Sequence, residues 1–148
     1  MSEFALESSA FEHTQAIPSR HTCDGEDLSP PLRWAHVPAE ARSLALLVDD
    51  PDAPSGVFTH WVAWGLDPSA DGLDEDEAAP SEGRNDFGTG GYRGPCPPAG
   101  HGRHRYVFRL YALDRELELG SGAAKSDLEQ ALEGHVLTIA ELVGTYER

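Results

Sequence analysis

At 148 residues the chain has the size of a single domain, residues 1–148, long enough to bury one continuous core, and it holds no apolar run that could span a bilayer. Against 11 Lys plus Arg stand 26 Asp plus Glu, a formal charge of −15, and Lys125 is the one lysine in the sequence. Such a surface repels nucleic acids and anionic bilayers, whose binding relies on Lys and Arg, so neither nucleic acid nor a stable membrane association is expected; the reading is a salt-adapted, halophilic protein of the cytoplasm whose self-repulsion is screened by counterions.

The acidic opening Ser2 to Glu7 has no basic stretch followed by an apolar one, so it does not read as a secretion signal. Cys23 and Cys96 are far apart, and neither has a second cysteine at metal-site spacing. A zinc knuckle is thereby excluded, a reducing compartment is compatible, and whether the two pair is left open.

Arg42 to Asp49 (RSLALLVD) is an apolar run closed by the turn signal Asp50-Pro51-Asp52-Ala53-Pro54 and predicts a buried strand. Phe58 to Leu66 (FTHWVAWGL) is aromatic and β-branched, and strict alternation places Phe58, His60, Val62 and Trp64 on one face of a second strand. From Asp67 to Gly102 runs a long connection rich in Gly, Pro and acid. Its cluster Asp74 to Glu77 reads as solvated surface, whereas Gly88 to Gly102 lies where loops carry function. His104 to Leu113 (HRYVFRLYAL) predicts a third strand with His104, Tyr106, Phe108 and Leu110 on one side. Ser126-Asp127-Leu128-Glu129 reads as a capping box that opens a short helix covering one end of the molecule, stopped at Gly134. Val136 to Tyr146 fits either period, but its β-branched residues and Gly144 favour a last strand. Short strands with Gly/Pro-rich turns and few helices predict an all-β, antiparallel Greek-key β-sandwich.

Chemistry-bearing side chains fall beside these strands: Asp50 and Asp52 after the first, His60 in the second, His104 and Tyr106 in the third. Each histidine alone reads as a hydrogen-bonded core residue, but two imidazoles, two carboxylates and a phenol at strand ends make a rigid pocket whose donors meet an oxyanion such as phosphate, sulfate or acetate. A neighbouring aspartate raises a histidine's pKa and favours the imidazolium, so Asp50 or Asp52 helps the anion indirectly. The segment Gly94 to Gly102 is stiffened by proline and bent by glycine, which suits a nest of backbone N–H groups turned to the same anion. No cofactor is implied. A metal site from His60, His104 and an aspartate has plausible ligand types but lacks closely spaced pairs. A hydrolase using a His/Asp pair lacks an evident nucleophile: there is no G-x-S-x-G elbow, and Cys96 sits between prolines.

The strings DGEDLSPPL from Asp24, DDPDAP from Asp49, THW from Thr59, GPCPPAGHGRHRY from Gly94 and the terminal ELVGTYER resemble, in order and over nearly the whole chain, the phosphatidylethanolamine-binding (Raf-kinase-inhibitor-like) family, most strongly its prokaryotic branch. The resemblance implies antiparallel sheets in Greek-key arrangement and an anion pocket formed by Asp50, Asp52, His60, His104 and Tyr106. Phe58, Pro97 and Pro98 would wall it, and Gly94 and Gly100 would shape its loop. It also implies a homodimer and a small ligand of the phosphate, phosphoethanolamine or acetate kind. Two departures stand out: the sequence stops at GTYER without the extra C-terminal helix of eukaryotic relatives, and Arg93 occupies a position often held by glycine. The first leaves the pocket more open and weakens the case for a kinase-inhibitor-like interaction protein, the main alternative to a binding module.

Overall fold

A computed structural model describes residues 3–148, so that Ser2 of the acidic opening lies outside the described residues. Its elements are β1 (Ala5–Glu7), β2 (Leu32–Ala35), β3 (Ser43–Asp50), β4 (Phe58–Leu66), β5 (Gly72–Leu73), β6 (Ser81–Glu82), β7 (His104–Leu113), α1 (Lys125–Leu132) and β8 (Val136–Tyr146), with one 3-10 turn at Ser19–His21. The class is mostly β with one short helix, in two antiparallel sheets ordered β1-β2-β5 and β6-β4-β3-β7-β8.

All eight residues of β3 are buried, because this central strand has neighbours on both edges and cover on both faces. On one face Leu44, Leu46 and Val48 join Trp61 and Ala63 of β4, Tyr106, Phe108 and Leu110 of β7, and Leu6, Leu32, Trp34 and Leu73 of the smaller sheet in the main core. On the other face Ala45 and Leu47 meet Val62, Trp64 and Leu113, covered by Leu128 and Leu132 of α1. The helix therefore forms a third layer over the five-stranded sheet instead of closing one end of a sandwich, because its apolar face matches the second apolar face of β3 and β4.

The helix begins earlier than its capping motif suggests. Ala124 holds the extended cap position, Ser126 lies within the first turn, and the half of the box that forms is Asp127 accepting the Ala124 N–H at 2.9 Å. The first turn is held in place by Lys125, whose Nζ donates to Asp49 Oδ2 at 2.9 Å on the helix side of β3.

Strict alternation also fails in β4, at the position that matters most. Val48 faces Trp61, yet the next residue, Asp49, faces Thr59, so His60 is the extra residue of a β-bulge. Past it the pleat changes sides: Phe58 and His60 turn to the main-core face, while Val62 and Trp64 turn to the helix. A second shift between Leu44 and Leu46 leaves Gly65 at φ +73, a backbone region that a side chain would strain, and returns Leu66 to the main core.

Candidate functional site

The bulge puts His60 in the same crevice as the ends of β3 and β7. A cavity of about 250 Å³ opens there, walled by Asp50, Phe58, His60, His104, Tyr106, Pro97 and Pro98, with Ala53, Pro54, Ser55, Phe87 and Cys96 at its margin. Seven of the eight residues singled out from the sequence are thus brought together.

Asp52 is not among them. Its carboxylate accepts from Arg105 Nε at 2.9 Å, from Nη2 at 2.9 Å and from the Arg105 backbone N–H at 2.9 Å. The guanidinium holds its pKa down to about 2 against a smaller opposing effect of burial. The chain leaves β3 and turns after Asp50, so that Asp50 lines the pocket while Asp52, two residues on, clamps the turn to β7 from outside.

Asp50 is buried and spends both oxygens within the protein: Oδ2 accepts from His104 Nδ1 at 2.6 Å, and Oδ1 from the Asp52 backbone N–H at 2.8 Å. It orients the His104 ring and sets the proton on Nδ1. The other ring nitrogen, Nε2, lies 2.7 Å from Nδ1 of His101, an exposed residue, and one hydrogen is shared between them.

His60 differs from the expectation of a carboxylate-supported imidazolium. Burial dominates and lowers its pKa, outweighing the Arg93 carbonyl and the more distant charge of Asp50. Nδ1–H donates to the Arg93 carbonyl at 2.7 Å, so the neutral ring keeps Nε2 as an acceptor.

Tyr106 is 1 % exposed, and its hydroxyl is the one buried side-chain polar atom without a hydrogen-bond partner among the described residues. Burial, reinforced by the charge of Asp50 and by the nearness of its carboxylate, which falls short of hydrogen-bond geometry, raises its pKa far above the ordinary phenol range and keeps the hydroxyl protonated. Its ring is edge-on to His60 at 5.3 Å and stacked beside His104 at 6.5 Å.

Two contributors were not foreseen. Phe87 packs edge-on against Phe58 at 4.8 Å and lies 5.4 Å from His60, presented by a tight loop around buried Asn85. The Asn85 Oδ1 accepts from the Phe87 and Thr89 backbone N–H groups, and its Nδ2 donates to the Gly91 carbonyl. The string Asn85-Asp86-Phe87-Gly88 carries that turn chemistry and was the available signal. His101 is the other, legible only as a histidine three residues before His104. Arg93 has a local role: its guanidinium lies 4.9 Å over the Phe87 ring and its Nε donates to Asp27 at 3.2 Å.

Three of the backbone amides in the Gly94–Gly102 segment foreseen as a nest are engaged within the protein. Gly94 N–H donates to Asp27 Oδ1, Gly100 N–H to the Arg148 carbonyl, and His101 N–H to the Pro98 carbonyl. Gly94 packs so closely on the 3-10 turn that a Cβ there would run into the His21 carbonyl oxygen. Cys96 of this segment is disulfide-bonded to Cys23 with a Cα separation of 5.4 Å, which resolves the pairing left open above. Of the acidic cluster, Asp74 pairs with Arg33 and Glu75 with Arg20, so these residues also hold the surface together.

A two-sheet antiparallel protein with a helix on its outer face and a small His/Asp/Tyr crevice at its strand ends is the class that fold and site define. The profile of the phosphatidylethanolamine-binding protein family matches residues 7–147. The chain is 55% identical over 152 residues to the UPF0098 protein of Methanothermobacter thermautotrophicus, covering 97% of this chain and 98% of that one. It is 47% identical to a UPF0098 protein of Pyrococcus abyssi, covering 99% and 86%. Among solved structures, a phosphatidylethanolamine-binding protein homologue from Chlamydia trachomatis superposes with a TM-score of 0.95 at 40% identity over 100% of this chain and 99% of that one. YbcL of E. coli, described as a member of the mammalian family, reaches 0.93 at 29% identity over 99% of each. The chain belongs to the phosphatidylethanolamine-binding protein family.

Proposed function

We propose that the pocket binds the anionic end of a small molecule, phosphoryl or carboxylate, without turning it over. The observation that carries this reading is the Tyr106 hydroxyl: a buried donor with no protein partner, in the wall of a cavity, costs free energy unless an acceptor arrives to meet it. Beside it stands the Nε2 acceptor of neutral His60, which suits a phosphoryl group still carrying a proton, since such a group both accepts from Tyr106 and donates to His60. The cavity of about 250 Å³ falls below the roughly 300–1,000 Å³ of sites for drug-sized ligands, which favours a head group or small metabolite.

Calorimetric titration with phosphate, phosphoethanolamine and acetate tests this, on the parent chain and on His104→Ala. Saturable heat from phosphate that the variant loses supports the reading; equal heats from both proteins end it. Turnover of an ester panel that vanishes in His60→Ala would speak for the hydrolase alternative instead.

The same reading takes the chain as a cytoplasmic, salt-adapted homodimer with a regulatory use, bound to neither nucleic acid nor membrane. The charge of −15 and the lone lysine support the salt adaptation and the lack of affinity for polyanions. Sedimentation at high and low KCl would measure the assembly state.

A further inference from the structure

We propose that the Cys23–Cys96 bridge is a thiol–disulfide exchange site, acted on by a dithiol reductant, that sets how firmly the pocket wall is held. The proposal rests on the reading of the pocket as an anion site and adds a control to it.

Both half-cystine residues are exposed, which places the bridge at the surface, where a small dithiol can approach it. At the same time Cys96 is a margin residue of the cavity and is followed directly by Pro97 and Pro98, which form its wall. A disulfide deep in a core would only staple the fold, but this one joins the wall to the segment after the 3-10 turn. Exposed bonds are the labile ones in thiol exchange, and within a reducing compartment such bonds are usually transient.

The surroundings set the direction of attack. Arg148 Nη1 lies 3.6 Å from Cys96 Sγ and donates to the Pro97 carbonyl at 3.4 Å, while its Nε is 3.1 Å from Asp24. A guanidinium beside Cys96 stabilises negative charge on that sulfur, making it the better leaving group. The thiolate of the reductant attacks Sγ of Cys23; the bond to Cys96 breaks, and its electron pair leaves on Cys96 beside Arg148. The second thiolate of the reductant then attacks its own sulfur in the mixed disulfide and releases Cys23. Two electrons have passed to the protein, the reductant closes into a disulfide, and the two protons it gave up end on Cys23 and Cys96.

Once the bond opens, the cross-links that hold the wall are hydrogen bonds, among them Gly94 N–H to Asp27, Cys23 N–H to the Pro95 carbonyl, Gly100 N–H to the Arg148 carbonyl and Arg148 Nη1 to the Pro97 carbonyl. Pro97 and Pro98 then lose part of their pre-organisation, and the ligand must order them on arrival. Nothing in β3, β4 or β7 passes through the bridge, so the sheet that carries Asp50, His60, His104 and Tyr106 stays in place.

The test uses the full chain, oxidised and after dithiothreitol, with thiol titration to confirm that two thiols appear. Inorganic phosphate is titrated into both forms, and amide hydrogen exchange is followed by mass spectrometry. Reduction is expected to weaken phosphate binding about tenfold, to raise exchange within residues 94–102, and to leave the strands protected, with reoxidation reversing both changes. The Cys23→Ser/Cys96→Ser double variant should match the reduced form and ignore dithiothreitol. Unchanged affinity in a chain that binds phosphate when oxidised overturns the proposal. So does unchanged exchange at 94–102, and so does loss of strand protection, which would make the bridge a staple of the whole fold. An oxidised chain that takes up neither phosphate, phosphoethanolamine nor acetate defeats the anion-site reading alone, and the exchange measurement then decides on the bridge by itself.

Discussion

Tyr106 and His60 divide the pocket's chemistry between them, one as a donor lacking a partner and the other as a neutral acceptor. Replacing Tyr106 by Phe removes a hydroxyl that no protein group satisfies, so thermal stability should hold or rise slightly. Phosphate affinity should fall about tenfold or more, the worth of a hydrogen bond to a charged group. Calorimetry and a melting curve on the same sample separate the two effects, and affinity equal to that of the parent would refute the role. For His60 the sign follows from its lowered pKa: the unfolded chain takes up a proton near the ordinary histidine value while the folded chain resists it. Its contribution to stability is therefore fully present above about pH 6.5 and is lost as pH falls below it. Urea unfolding from pH 7.5 to 5.5 should show that slope, and His60→Gln should flatten it.

Two ion pairs tie the end of β3 and the turn after it to α1 and β7. On the helix side, Lys125 neutralises buried Asp49, which also accepts from Thr59 Oγ1 at 2.8 Å. Lys125→Met strands that carboxylate and should cost about 2 kcal/mol, short of the fully buried case because the ammonium is partly solvated. Adding Asp49→Asn should recover part of the loss, and a double-mutant cycle by urea unfolding measures the coupling. At the turn after β3, outside the pocket, the Asp52–Arg105 clamp holds the Asp50–Pro54 turn against β7. With the Asp52 pKa held near 2, its contribution is complete above pH 4 and fades as pH drops toward 2. Asp52→Asn should remove that part of the acid limb and lower phosphate affinity less than His104→Ala does, since Asp52 acts on the turn and not on the ligand.

Over the whole molecule, the charge of −15 works against compaction unless counterions gather around it. Dialysis from molar KCl into dilute buffer should therefore unfold the chain, seen as loss of its far-ultraviolet circular dichroism. A full native signal in dilute buffer would remove the salt-adapted reading while leaving the fold and the pocket untouched.

Strands β3, β4, β7 and β8 were legible within a residue, because each buries apolar side chains whose spacing and β-branching are local properties of the chain. Asp50, His60, His104 and Tyr106 were legible as chemistry, from residue type and strand position. Local order carries no information on where a pleat changes sides. Alternation therefore grouped His60 with Val62 and Trp64, and only the pairing of β4 with β3 inserts the bulge that turns it to the pocket. Whether Asp50 or Asp52 enters the crevice, whether the two cysteines meet across 73 positions of sequence, and which face the helix covers all depend on partners distant along the chain. Such choices are made when layers pack, since burial and hydrogen bonding between remote segments select among alternatives that look equal to each segment alone.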